Sequence, residues 1–162
     1  MSKPIWLTIA EKYIGLREIP GAPTAPTIAA WLQRLGAWWN DDETPWCGVA
    51  MAAWMQEAGF KPPAAWYRAK AWATWGIPLS KPVTGCVVVF TRQGGGHVGL
   101  AVGQDSEGRL MVLGGNQGNA VRVAAFDMGR VVAYRWPEGA PISNLATADL
   151  PTGYAPESER ES

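Results

Sequence analysis

The chain has 162 residues, of which 48% are apolar and 17% charged, which is enough for one domain with a substantial core. Its 14 basic and 14 acidic residues cancel, so the composition argues against an electrostatic nucleic-acid binder. No apolar run reaches the roughly 18 residues of a transmembrane helix, so stable membrane insertion is not predicted.

The N-terminal part of the chain is predicted to be helical. Apolar residues recur at helical spacing over 4–14, before Gly15, and again over 26–35. Glu11 and Lys12 interrupt the apolar stretch that a signal peptide would need. We therefore expect the chain to be made in the cytoplasm and to be released if it acts elsewhere.

The next predicted helix carries a cysteine in its first turn. Thr44 suits the N-cap and Pro45 the first helical position, which places Cys47 near the positive end of the helix dipole. A lowered thiol pKa is expected there, as for a nucleophile. No charged residue occurs over 49–55, so the helix is predicted to be buried. The alternative for Cys47 is a small buried residue without chemistry.

The pattern changes to short strands in the second half of the chain. A Trp- and Ala-rich helix over 65–75 precedes five predicted strands separated by turns with Gly or Asp. These strands cover 85–90, 97–103, 109–113, 120–124 and 130–136. Helices followed by antiparallel strands predict an α+β domain over 1–140, and the polar segment 141–162 is predicted to be a flexible tail.

His97, the one histidine of the sequence, is the candidate base for a thiol nucleophile. It shares a strand face with small residues, where the cysteine helix can approach closely. If Gln104 opposes Arg109 across a four-residue turn, the same register places Asn116 opposite His97. Asn116 is then predicted to accept the imidazole N–H and fix the tautomer. A slip of one residue would turn Asn116 away and leave it an ordinary turn residue.

Two cysteines and one histidine are too few for a structural zinc site of the Cys/His type, so neither a metal nor a cofactor is predicted. A disulfide between Cys47 and Cys86 is allowed by number, but a cytoplasmic origin disfavours it. The ten tryptophans are expected mainly in the core, although some could line a groove for a ligand.

Three short strings resemble a known family. They are Asp-Glu-Thr-Pro-Trp-Cys at 42–47, Gly-His-Val-Gly-Leu-Ala-Val-Gly at 96–103 and Gly-Gly-Asn-Gln at 114–117. They are similar to strings of the papain-like cell-wall hydrolases of the NlpC/P60 and CHAP type, in particular a subgroup of phage lysins. The resemblance covers about residues 5–137. One departure is Gly85-Cys86, where relatives commonly have Gly-Asp, and we interpret Cys86 as a buried structural thiol.

The resemblance implies a papain-like fold and a cysteine peptidase or amidase that acts on the stem peptide of peptidoglycan. Cys47 would be the nucleophile, His97 the base and then the acid, and Asn116 the orienting residue. A monomeric endolysin that reaches the cell wall after release is the form expected, and a toxin delivered into a competitor's periplasm would look similar. Acyl transfer by the same residues and a non-catalytic binding or virion component are the alternatives.

Overall fold

The computed structural model describes residues 3–19, 25–39, 45–92, 95–141 and 150–154. The helices are α1 (Ile5–Glu11), α2 (Pro26–Leu35) and α3 (Cys47–Glu57), with 3-10 helices at Ala69–Thr74 and Met128–Arg130. The strands are β1 (Ile77–Leu79), β2 (Val87–Arg92), β3 (Gly95–Gln104), β4 (Leu110–Gly114), β5 (Arg122–Phe126) and β6 (Val131–Trp136). The predicted α+β class is therefore confirmed.

Helix α3 lies at the centre of the fold, between the other two helices and the sheet. Its residues from Cys47 to Met55 are all buried, as the run without charges predicts. Helix α2 begins with a proline at its first position and ends at Gly36, whose φ of 79° allows the left-handed C-cap. No helix within the described ranges is long and apolar enough to cross a membrane.

The six strands form one antiparallel sheet in the order β1-β6-β2-β3-β4-β5. Five strands were predicted, and the additional one is the three-residue β1, which contains Pro78. The rings of Phe90 on β2 and Phe126 on β5 lie 4.7 Å apart, although two strands separate β2 from β5. Because neighbouring strands are about 4.8 Å apart, this contact requires a strongly curled sheet.

The β3–β4 hairpin keeps the predicted register in its interior but not at its turn. Ala101 pairs with Val112, as predicted, whereas Gln104 pairs with Leu110 and not with Arg109. The register shifts between these pairs, and the connecting turn covers 105–109. The extra turn residue is absorbed by this irregularity.

The segment 150–154 is bound to the domain. The backbone N–H of Gln104 donates to Pro151 O at 2.9 Å, and that of Gly153 donates to Gln104 O at 2.8 Å. The Tyr154 hydroxyl donates to Glu11 on α1. A flexible tail is predicted over 141–162, but within it the described residues 150–154 are bound to the domain. Residues 142–149 and 155–162 lie outside the described residues.

Candidate active site

Cys47 is the first residue of α3, and Trp46 is the N-cap. The helix thus begins two residues later than predicted, because Pro45 precedes the cap, and Thr44 lies outside the described residues. The Trp46 indole is buried and its Nε1 donates to Glu18 at 3.0 Å, which fixes the helix start. The first helical hydrogen bond runs from Ala50 N to Trp46 O, so the N–H groups of 47–49 have no helical partner.

The Cys47 thiol is nearly buried, with 7% of the residue exposed. Burial raises its pKa above the ordinary value, because desolvation disfavours the thiolate. The backbone N–H of Val98, the charge of Arg92 and the N–H groups of the first helical turn act in the opposite direction but are weaker. The predicted lowering of the thiol pKa is therefore wrong, since desolvation outweighs the helix dipole.

The thiol and the imidazole come from neighbouring positions on α3 and β3. The backbone N–H of Val98 faces the Cys47 sulfur closely enough to favour the thiolate, and Val98 directly follows His97. The fold therefore brings the two predicted residues together. The described side chains of Cys47 and His97 are not hydrogen-bonded to each other, and the imidazole is hydrogen-bonded to Gln117.

His97 is enclosed by aromatic rings and is only 1% exposed. Its ring lies nearly parallel to those of Phe90 and Phe126, with centroids 6.2 and 5.3 Å away. Burial lowers the imidazole pKa to about 4, and the charges of Arg92 and Arg130 add to this while the hydrogen bond to Gln117 opposes it. His97 is consequently neutral at neutral pH, as a general base must be.

Gln117 fixes the tautomer of the imidazole. Its Oε1 lies 2.8 Å from His97 Nε2, and its own Nε2 donates to Val112 O at 3.0 Å and Arg122 O at 2.6 Å. Because the amide nitrogen must face the two carbonyls, the amide oxygen faces the imidazole. His97 therefore carries its proton on Nε2, and Nδ1 is the nitrogen that can accept the thiol proton.

Asn116 does not occupy the predicted place opposite His97. Strand β4 ends at Gly114, and the last pair between β3 and β4 is Leu100 with Leu113, three residues from His97. Asn116 instead has a φ of 58°, a left-handed turn conformation, and the described contacts of His97 assign the hydrogen bond to Gln117. The register prediction extended β4 beyond its end, and the Gly- and Asn-rich string after residue 113 is the signal that predicts a turn.

Two glycines allow this turn to fit between α3 and the imidazole. A side-chain Cβ at Gly114 would collide with Gln117 Oε1 and lie 3.5 Å from His97 Nε2. At Gly115 a Cβ would lie 2.7 Å from Ala50 Cβ and 2.9 Å from the Trp46 ring. In the string Gly-Gly-Asn-Gln, the two glycines therefore let the turn approach α3 and the imidazole closely, and the glutamine supplies the amide that orients the base.

The remaining predictions concern the second cysteine and metal binding. Both cysteines are free, and burial raises the pKa of Cys86 to about 12, which keeps that thiol protonated. The disulfide is thus not formed, and Cys86 is buried as predicted. In the described part of the chain, no group of three or more His, Cys, Asp or Glu residues is arranged to hold a metal ion.

Most tryptophans are in the core, as expected, but four aromatic residues form a partly exposed cluster beside the start of α3. Trp39 stacks on Trp66 with ring centroids 5.8 Å apart, and Trp38 and Tyr67 pack at their edges. Trp38 is 91% exposed. A Cβ at Gly48 would collide with Trp66 O, so this cluster directly adjoins the helix start that carries Cys47.

No protein-family model matches the chain, and a search of the curated proteins found no match. Support for a function therefore comes from the geometry of the site and from the three strings of the sequence.

Proposed function

We propose that the protein is a cysteine peptidase or amidase with a papain-like arrangement, and that it cleaves an amide bond in the stem peptide of peptidoglycan. One observation carries the catalytic assignment: the His97 imidazole is held with its proton on Nε2 by Gln117, and the next residue on β3, Val98, directs its backbone N–H at the Cys47 thiol. The substrate class is supported by the resemblance of the strings around Cys47, His97 and Gln117 to those of cell-wall hydrolases. We further propose that the enzyme acts on the wall as a monomer after release from the cytoplasm.

The first chemical step transfers the thiol proton from Cys47 Sγ to His97 Nδ1. The resting pair is neutral because burial raises the thiol pKa and lowers the imidazole pKa. Thiolate and imidazolium therefore form together when substrate binds, and the charge of each group stabilises that of the other. The Nε2–H of the His97 imidazolium donates to the carboxamide oxygen of Gln117, and this hydrogen bond stabilises the imidazolium.

The thiolate then attacks the carbonyl carbon of the scissile amide. Negative charge develops on the carbonyl oxygen, and the N–H groups at the start of α3, which have no helical partner and face the thiol, can stabilise it together with the helix dipole. The imidazolium gives its Nδ1 proton to the leaving nitrogen, which departs as an amine and leaves a thioester on Cys47. A water molecule, deprotonated by His97, hydrolyses the thioester and releases the carboxylate.

The test is cleavage of purified peptidoglycan, with the products identified by mass spectrometry. We expect the native chain to release fragments with new amine and carboxyl ends, and Cys47→Ala to release none. Cys86→Ala removes the other thiol and should retain cleavage, provided that circular dichroism shows a folded protein. Undiminished release by Cys47→Ala would overturn the assignment, and joined muropeptides without new carboxylates would indicate acyl transfer.

A further inference from the structure

Arg92 lies at the open end of the site, on the same face of the sheet as His97. It is the last residue of β2 and pairs with Gly95, while Phe90 pairs with His97. Because alternate residues of a strand share a face, Arg92 emerges on the same side as Phe90 and His97, about 7 Å further along. A Cβ at Gly95 would meet no atom within 4 Å, so the space opposite Arg92 is open.

A second arginine approaches the same end from the other side. Arg130 follows β5 and its Nε donates to Thr91 O at 3.3 Å, next to Arg92 in the chain. The 3-10 helix that contains Arg130 contacts β2. Phe126, at the end of β5, stacks on the His97 ring. The elements that enclose the imidazole therefore also carry the two guanidinium groups.

Neither guanidinium forms an ion pair with a carboxylate of the described residues. The ion pairs found there are Lys3–Glu11, Arg109–Asp105 and Arg109–Glu107. Arg92 nevertheless acts on the reacting groups, since its charge lowers the pKa of both the Cys47 thiol and the His97 imidazole. Arg130 lowers the pKa of the imidazole as well. Two exposed cations thus lie within electrostatic range of His97, and one of them, Arg92, also lies within range of Cys47.

We propose that Arg92 and Arg130 form a subsite for a free carboxylate of the substrate, close to the scissile amide. This subsite rests on the proposed amide hydrolysis at Cys47, and it narrows the substrate class to peptides with an unmodified carboxylate near the cleaved bond. The planar guanidinium fork matches both oxygens of a carboxylate.

A matched pair of substrates tests the subsite. We would measure kcat and KM for a synthetic stem tetrapeptide with all carboxylates free and for the same peptide with carboxamides in their place. The native chain is expected to prefer the free carboxylates at least tenfold in kcat/KM, mainly through KM. Arg92→Ala should remove most of this preference, and Arg92→Ala combined with Arg130→Ala should remove all of it. Arg34→Ala, an exposed arginine on α2, is the control that keeps it.

Binding to Cys47→Ala separates this inference from the proposed hydrolysis. Calorimetry with the two tetrapeptides should show at least tenfold weaker binding of the amidated peptide, and no such difference after Arg92→Ala and Arg130→Ala. Equal binding of both peptides by Cys47→Ala would overturn the subsite, whatever the activity. A native chain that cleaves neither peptide nor cell wall, but shows the binding difference, would overturn the hydrolysis alone.

Discussion

At the scale of single residues, the amide of Gln117 is the group that selects the nitrogen of His97 that can act as a base. Gln117→Ala removes the acceptor and leaves Val112 O and Arg122 O without their donor. The imidazole is then free to adopt the wrong tautomer, so we expect kcat for peptidoglycan cleavage to fall by about 100-fold or more. Steady-state kinetics with soluble muropeptides measure this change.

Asn116→Gly is the matched control, because glycine adopts the left-handed conformation of this position without strain. It should change kcat less than about threefold, since the described contacts of His97 involve Gln117. The opposite ranking, with Asn116→Gly the more damaging change, would return the orienting role to Asn116.

The buried imidazole also makes stability depend on pH. In the unfolded chain His97 takes up a proton near its ordinary pKa of about 6.5, whereas in the folded protein it does so only near 4. The unfolded state therefore binds more protons over this window, and stability falls as pH decreases through it. Between pH 7 and pH 4.5 this residue should account for about 2 kcal/mol of lost free energy of unfolding.

Urea denaturation of the native chain and of His97→Leu at both pH values measures this contribution. The variant lacks the titrating group, so its free energy of unfolding should fall by about 2 kcal/mol less over the same interval. Carboxylates contribute equally to both proteins and cancel in the difference. Identical pH dependence in the two proteins would contradict the low pKa of the imidazole.

At the scale of elements, the site depends on the close approach of α3 to the turn after β4. Gly115→Ala would place a methyl group 2.7 Å from Ala50 Cβ and 2.9 Å from the Trp46 ring. Either α3 or the turn must move, and overpacking of this kind costs about 1–3 kcal/mol. Urea denaturation should show this loss, and kcat should fall because the displacement separates Cys47 from His97.

Gly95→Ala is the control, because the added Cβ meets no atom within 4 Å. Combining Gly115→Ala with Ala50→Gly removes one of the colliding groups, so the two changes should not be additive. Additive free energies would show that the helix and the turn are not in contact as described.

The elements could largely be predicted from the sequence, but their ends could not. The uncharged run after Cys47 correctly predicts a buried helix, since a helix that is apolar on every face has no polar face to turn toward water. The helix begins two residues later than predicted, and the predicted register continues past the end of β4 at Gly114 to Asn116, because tertiary contacts decide where elements begin and end. The indole of Trp46, bound to Glu18, fixes the first, and the packing of Gly115 on α3 fixes the second. Asn116 was therefore predicted in a place that its neighbour Gln117 occupies.

At the scale of the whole molecule, the curl of the sheet determines the chemistry of the imidazole. Phe126 reaches His97 only because β5 returns over β2, which no pattern within one strand predicts. This packing contributes to the burial that lowers the imidazole pKa, while burial at the start of α3 raises the thiol pKa. The sequence predicts that Cys47 and His97 meet, whereas their protonation states follow from the assembled core.

The segment 150–154 closes the fold by joining the end of β3 to α1. Its two backbone hydrogen bonds with Gln104 and the bond from Tyr154 to Glu11 connect distant parts of the chain. A chain ending at residue 149 loses all of these, so we expect its free energy of unfolding to fall by about 1–3 kcal/mol. For a protein of this size that corresponds to a Tm lower by roughly 3–9 °C in calorimetry.

A chain ending at Tyr154 is the matched control, since it retains all of these contacts and should keep the Tm of the full chain. Tyr154→Phe in the full chain removes only the hydroxyl and should account for about 1 kcal/mol of the loss.

Gly103 contacts this segment so closely that a Cβ there would lie 2.7 Å from Gly153 O. Gly103→Ala should therefore destabilise the full chain but have little effect on the chain ending at residue 149. Equal effects of Gly103→Ala in both chains would show that the segment does not bind at β3.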